Sequence, residues 1–301
     1  ANRAQINRSA IKTRELPRYF SSVLFAPEDL ALVRGEPSGR RRFLDELLVL
    51  RSPRMSAVLA DYERVLRQRN TLLKSARSVG ARANLGTLDI WDERLVAVGS
   101  EIIQARGAVV TELSPEVEKS YAAIAGDRHA ASLASSLSIL SVDGVDVEEG
   151  AVDEKSIRRD RLTAEETAST FRAALEVRRR DELDRGVTLV GPHRDDLILT
   201  LNNLPARGYA SHGESWSYAL SLKLAAAAVL RRESNAGDPV LILDDVFAEL
   251  DESRRARLAD AVDDFEQILI TAAVLGDVPE RLATHTIRIE SGRIIEAPDH
   301  E

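Results

Sequence analysis

The sequence contains no cysteine, which rules out disulfides, thiolate metal sites and cysteine nucleophiles. Lysine is scarce, with five residues at 12, 74, 119, 155 and 223 among 41 cationic side chains. No glycine is followed by lysine anywhere in the 301 residues, so the phosphate-cradling pattern GxxxxGK[ST] does not occur. Aromatic residues make up only 4%, which disfavours a single-strand reader built on base stacking. The longest apolar runs, such as Leu224–Leu230 and Val240–Leu243, fall far short of the roughly 20 residues that span a bilayer. No cationic stretch followed by an apolar one opens the chain. Histidines 129, 193, 212, 285 and 300 include no helical pair spaced for a metal. The expectation is a cytoplasmic protein without membrane contact.

The net charge of -8 excludes a globally cationic nucleic-acid binder, but a local basic face remains open. Hydrophobic content of 44% and charged content of 30% fit an ordinary globular protein. The length suits one large domain or two smaller ones. The arginine excess reads as coding composition.

Residues 1–35 lack helical periodicity, and Ser22–Ala26 forms a short β-like run ended by Pro27. The opening Ala1–Ala4 does not look like a natural start, so the chain is expected to begin partway into a domain. Helical patterning starts at Ser38. Pro53 opens one segment, and Leu88, Trp91, Leu95, Val98, Ile102, Ala105, Val109 and Leu113 form a heptad-like seam in a second. The two should pair antiparallel across the stretch 75–87. Ser114-Pro115-Glu116 predicts a break or kink. A weak strand is expected near Leu133–Leu140 and a turn at Asp143-Gly144. Thr163 and Glu166 have capping-box spacing for a helix to about Arg185. From 187 onward strands and helices alternate: Val187–Val190, Ile198–Leu201 with a turn at Asn202-Asn203, a helix after Gly213, Val240–Leu243, a helix from Ser253, Ile268–Thr271, and a hairpin through Ser291-Gly292. That order argues for an α/β layer.

Val240–Asp245 (VLILDD) is four aliphatics followed by two carboxylates. A buried parallel strand is apolar on both faces, and ligands gather at carboxyl strand ends. Asp244 is then a candidate for Mg²⁺, a hard cation that prefers oxygen. Asp245 is a candidate to orient or deprotonate an attacking water. A strand ending in Asp is equally a plain helix cap or turn. Ala248–Asp251 (AELD) follows, with Glu249 and Asp251 as candidates for a D-loop. Upstream, Ser211–Ser215 (SHGES) precedes an apolar helix. There Gly213 permits close backbone approach to a phosphate, Ser211 and Ser215 offer hydroxyls, and the helix start offers free amides. Alone, this segment reads as a serine cap on a core helix. Signature, Walker-B and D-loop elements in this order are specific for an ABC-type ATPase head.

Five blocks point further: Val23–Leu30 (VLFAPEDL), Gly35–Asp45 (GEPSGRRRFLD), Leu189–Asp196 (LVGPHRDD), Ser211–Ser217 (SHGESWS) and Leu243–Asp251 (LDDVFAELD). In order, over about Val23 to Ala273, they resemble the RecF family. The resemblance implies an α/β, P-loop NTPase-like ABC-type head, here incomplete, with an inserted helical lobe. Residues 1–37 would be the remainder of an N-terminal ATPase lobe, 38–186 the helical lobe, and 187–301 the head with signature, Walker B and D-loop. It further implies ATP and Mg²⁺ as cofactors and an ATP-dependent homodimer on double-stranded and gapped DNA. RecR and RecO are the implied partners, in loading RecA. Ser211, Gly213, Glu214 and Ser215 would contact ATP bound to the partner, while Asp244 and Asp245 act in cis.

Two departures stand beside the resemblance. The family's phosphate-binding loop precedes the blocks above and has no counterpart in these residues, so the chain alone is expected to be a poor ATPase. Ala272 occupies the position after Ile268–Thr271 where many such heads carry a switch histidine. Arg40, Arg41 and Arg42 are candidate DNA contacts, as are Arg178–Arg180 and Arg254-Arg255, although such runs are commonly solvated. Two other readings remain open: a degenerate interaction module that binds no nucleotide, and another coiled-coil repair ATPase of the SMC and Rad50 group. The short helical segment argues against the second.

Overall fold

The computed structural model describes residues 3–79, 86–141, 154–234 and 237–295. In chain order the strands and helices are β1 (Ala4–Ile6), β2 (Ser9–Ile11), β3 (Ser22–Phe25), α1 (Ala31–Arg34), α2 (Pro37–Arg51), α3 (Met55–Val79), α4 (Gly86–Ala125), β4 (Ala131–Ser136), β5 (Ile157–Arg158), α5 (Ala164–Arg185), β6 (Asp196–Leu201), β7 (Leu204–Pro205), α6 (Ala206–Tyr209), α7 (His212–Glu233), β8 (Val240–Asp244), α8 (Glu252–Val262), β9 (Ile268–Thr271), β10 (Arg288–Glu290) and β11 (Arg293–Ile295). The expected turn at Asp143-Gly144 lies outside the described residues.

A three-stranded parallel sheet runs in the order β3-β8-β9. Leu241 and Leu243 of β8, with Val23 and Phe25 of β3, are buried on one face. The helix α7 packs there, with Phe25 edge-on to Trp216 at 5.2 Å between ring centroids. Helix α7 is apolar nearly all round, because its other side meets α4. A helix with no polar face belongs at the centre of a fold. The segment from β8 through α8 to β9 is a parallel crossover unit, so the carboxyl ends of β3, β8 and β9 share one edge of the sheet.

A second sheet, order β5-β4-β6-β7, is antiparallel. It pairs β4, from the stretch 38–186, with β6, from the stretch 187–301, and so knits those stretches together. Asn202 and Asn203 have φ of 51° and 66°, the left-handed pair that closes a tight hairpin.

One local expectation fails, and of the break or kink expected at Ser114-Pro115-Glu116 the break is absent. Val187–Val190 is not a strand. Its backbone amides are claimed by side chains instead: Thr188 N–H donates to Asn70 Oδ1 at 2.8 Å and Leu189 N–H to Glu182 Oε1 at 2.8 Å. Pro115 does not break the helix either, for α4 continues through it. Proline inside a helix costs about 3 kcal/mol. Leu113, Val117, Tyr121 and Ile124 are fully buried on both sides of it, and each such side chain stabilises by about 1.5–3 kcal/mol.

Helices α3 and α4 run antiparallel, with Arg94 bonded to Asp61 and Arg69 to Asp92. Arg69 is wholly buried and also pairs with Glu182 of α5 at 2.6 Å. Helix α5 opens with the expected capping box of Thr163 and Glu166 and ends on Gly186, φ 71°. Among the described residues no helix is long and apolar enough to cross a membrane.

Candidate functional site

The two carboxylates after β8 occupy different environments. Asp244 is the last residue of the strand, half-buried, and its Oδ1 accepts a hydrogen bond from the Thr271 hydroxyl. Asp245 leaves the sheet with φ 53°, a left-handed conformation that Asp tolerates better than most residues. Its N–H donates to both the carbonyl and the hydroxyl oxygen of Thr271, each at 3.2 Å. Thr271 thus fixes the Asp244 side chain and the Asp245 backbone together, leaving the Asp245 carboxylate exposed. Val246 and Phe247 then turn inward and are buried. Arg255 holds that turn by donating from Nε to the carbonyls of Phe247 and Leu250 at 2.8 and 2.9 Å.

The segment before α7 forms a reciprocal cap. Ser211 N–H donates to Glu214 Oε2 at 2.7 Å, and Glu214 N–H to Ser211 Oγ at 3.3 Å. These bonds from Ser211 hold the Glu214 carboxyl below its usual range. Ser215 differs from its neighbours. It is fully buried, donates to the Ser211 carbonyl at 2.8 Å and accepts from Arg34 Nε at 3.1 Å. That corrects the expectation of a nucleotide contact: its hydroxyl is spent inside the fold, where it braces the turn. Ser211 and His212 are exposed, and Gly213 is half-buried.

The D-loop candidates Glu249 and Asp251 lie near this turn within one chain. His212 Nε2 is 3.7 Å from Glu249 Oε2. Asp251 caps α8 by accepting from Arg254 N–H at 2.9 Å. The Arg254 guanidinium lies over Gly213, where an added Cβ would meet Nη1 at 2.5 Å.

The basic candidates separate. Arg40 is a second correction: it is buried, pairs bidentately with Asp196 at 2.8 Å, and donates to the Leu32 and Gly35 carbonyls. A buried guanidinium with four of its five N–H donors engaged inside the fold is not placed to meet DNA. Arg41 donates to the Asp195 carbonyl at 2.8 Å. Arg42 is solvated and paired with Glu46 one helical turn away. Arg178 and Arg179 are paired with Asp181 and with Asp89 and Asp92.

The block Leu189–Asp196 is largely internal as well, with Arg194 exposed. His193 Nε2 lies 3.2 Å from the Thr188 carbonyl. An N–H there makes Nδ1 the acceptor for the Tyr62 hydroxyl at 2.7 Å. Burial pushes His193 down to about 3 and Asp195 up to about 6.

Sequence reasoning missed Thr271 and Arg34, and it named Arg254 only as a candidate DNA contact, without its place over Gly213. Thr271 had a signal, since parallel pairing places the last residue of β9 beside Asp244. Arg34 and Arg254 reach their partners only through the tertiary fold. A groove of about 570 Å³ between β3, α2 and α7 is lined by Val23, Phe43, Leu47 and Lys223, and none of the carboxylate or signature-turn residues lines it. Among the described residues no three His, Asp or Glu side chains cluster as a preformed metal cage.

No protein-family model matches the chain. It is 63% identical over 301 residues to the DNA replication and repair protein RecF of Clavibacter sepedonicus, covering 99% of this chain and 73% of that protein. It is 62% identical over 297 residues to the RecF of Leifsonia xyli subsp. xyli, covering 98% and 76% respectively. Among solved structures, the recombination mediator protein RecF with ATPrS, in the RecFOR pathway, superposes with a TM-score of 0.74 at 26% identity. That match covers 91% of this chain and 68% of the other. The ATP form gives a TM-score of 0.73. At that identity and coverage, with signature turn, D-loop and strand-end carboxylates gathered on one fold, the chain belongs to the RecF family of DNA replication and repair proteins.

Proposed function

We propose that this protein is an ATP-dependent DNA-binding protein of recombinational repair and replication restart, closing into a homodimer when ATP is bound. The observation that carries the reading is the contact of signature turn and D-loop in one chain, His212 to Glu249 and Gly213 to Arg254. Ser211, Gly213 and Glu214 face a nucleotide held by a second copy. Helix α7 offers free amides and the positive end of its dipole there. ATP then acts as a ligand of the closed state alone, which shifts the equilibrium toward closure. Double-stranded DNA at single-strand gaps is the substrate, RecO and RecR the partners, and RecA loading the outcome. The relatives' names and the ATP-bound RecF of the RecFOR pathway support this assignment.

The donor set fits Mg²⁺. Asp244 is half-buried, and Oδ1 is oriented by Thr271. Mg²⁺ takes hard oxygen ligands and is commonly held by one or two carboxylates plus phosphates and water, so the missing carboxylate cluster is no obstacle. When bound, Mg²⁺ neutralises charge on the transferring phosphate. Asp245, exposed and fixed at its backbone, orients the attacking water and takes its proton. The phosphate cradle is assigned to none of these 301 residues.

Sedimentation velocity of the full-length protein with Mg²⁺ and ATP tests the reading. ATP-dependent dimers are expected in the wild type and lost in Asp244→Ala. Dimerisation that ignores ATP, or survives that substitution intact, overturns it.

A further inference from the structure

We infer that Arg254 is a positioning residue of the signature turn, presenting a guanidinium that makes closure selective for a nucleotide carrying a γ-phosphate. The inference rests on the reading that Ser211 and Gly213 face a nucleotide held by a second copy.

Gly213 is the first support. It lies in the first turn of α7 with no left-handed φ, so its backbone does not require glycine. Glycine within a helix costs about 1 kcal/mol relative to alanine, and some other demand must hold it there. The space over its Cα is filled by Arg254: an added Cβ would lie 2.5 Å from Nη1 and 3.4 Å from both Cζ and Nη2. The missing side chain admits the guanidinium.

Arg254 is also held in place with only loose counter-charges, Asp251 and the capping carboxylate of Glu214, whose charge it feels without forming an ion pair. Its own N–H is tied to Asp251 Oδ1 at 2.9 Å, which fixes its backbone in the first turn of α8. Its one ion pair within 4 Å among the described residues is with Asp251 at 3.6 Å, a carboxylate that is 60% exposed. The Arg254 side chain itself is only 28% exposed. A loosely paired guanidinium withdrawn from water is a strong partner for an oxyanion.

The surroundings offer further donors and little competition. The capping box uses Ser211 and Glu214, and Ser215 N–H closes onto the Ser211 carbonyl. The amides of His212 and Gly213 occupy the first-turn positions that a helix leaves without an intrahelical acceptor. Nearby on α4, Tyr121 is fully buried against Tyr218, and its hydroxyl has no hydrogen-bond partner among the described residues. Burial and then the charge of Glu214 push that phenol up to about 12, while Arg254 acts in the opposite sense. A buried hydroxyl thus lies close enough to feel both side chains and bonds to neither. ADP ends one phosphate short of this surface, so the guanidinium discriminates by the charge that the γ-phosphate adds.

The competing role for Arg254 is a plain staple between α8 and α7, and the ratio of two dissociation constants separates them. Dimer dissociation constants of the full-length protein are measured by sedimentation with Mg²⁺ and either a non-hydrolysable ATP analogue or ADP. For Arg254→Ala the constant in the ATP analogue should rise about tenfold or more, with the ADP value little changed, so their ratio collapses. Arg254→Lys should recover part of it. Gly213→Ala, which favours the helix but displaces the guanidinium, should reproduce the loss, and the double variant should be no worse than either single one. Equal weakening in both nucleotides, or an unchanged ratio, overturns the inference and leaves the proposed function standing. A wild type that does not dimerise with the analogue overturns both.

Discussion

The hydroxyl of Thr271 donates to the carboxylate of Asp244 across the parallel pair of β8 and β9. The same oxygen accepts from the Asp245 amide, so one small side chain orients both carboxylate positions. Groups that orient a metal ligand are typically worth about 10–100-fold in metal affinity. Thr271→Val keeps the β-branched shape and removes both hydrogen bonds. Its ATP-dependent dimerisation should need about tenfold more Mg²⁺, with the unfolding midpoint little changed. A Mg²⁺ titration that superposes on the wild type removes Thr271 from the site.

The sequence made the strands β8 and β9, the caps at Thr163 and Ser211 and the asparagine turn legible, because each depends on residues within one turn or one strand. It could not show that Val187–Val190 forgoes a ladder, since Asn70 and Glu182 supply its acceptors from more than a hundred residues away and from the preceding helix. Nor did it show Pro115 inside α4, where burial on both sides outweighs a local rule. At the site, Ser211 and Gly213 could be picked by type. The diversion of Ser215 to Arg34 and of Arg40 to Asp196 depends on contacts 181 and 156 residues apart.

Arg69 and Glu182 form an ion pair with neither side chain exposed, and Asp92 and Thr188 complete the guanidinium's shell. Removing one partner of such a pair leaves a buried charge and costs about 3–5 kcal/mol. Arg69→Met should lower stability by that amount in urea unfolding. Arg69→Met combined with Glu182→Leu should recover a substantial part. A loss below 1 kcal/mol in the single variant would show that the pair is solvated in solution.

Arg40 and Arg42 are two residues apart on α2 but should respond differently. Arg40→Ala breaks a buried bidentate pair and is expected to lower the unfolding midpoint by several degrees. Arg42→Ala removes a pair that water screens on both sides, and should leave stability unchanged. If Arg42 meets a DNA phosphate, its removal lowers the slope of log affinity against log salt by about 1. A slope unchanged in Arg42→Ala eliminates it as a contact.

His193 and Asp195 set opposite pH dependences within one buried loop. His193 is lowered from 6.5 to about 3, chiefly by burial, so the folded state binds fewer protons there. Its contribution is present above pH 6.5 and is lost as pH falls toward 3. Asp195 is raised from 3.8 to about 6, again chiefly by burial, so the folded state binds more protons. Its contribution is present below 3.8 and is lost as pH rises to 6. Between about pH 4 and 6 the two slopes have opposite signs and similar size, on the order of 1 kcal/mol per pH unit each. Asp195→Asn removes one of them while Oδ1 still accepts from Ser138 N–H and hydroxyl, as in the wild type. Relative to wild type, its stability in urea should therefore fall more steeply as pH drops from 6 to 4. His193→Gln should fall less steeply over that range. Taking differences against wild type cancels the other carboxylates, which titrate in both proteins. Parallel curves for all three would mean that neither group changes protonation on folding, and that this loop is hydrated in solution.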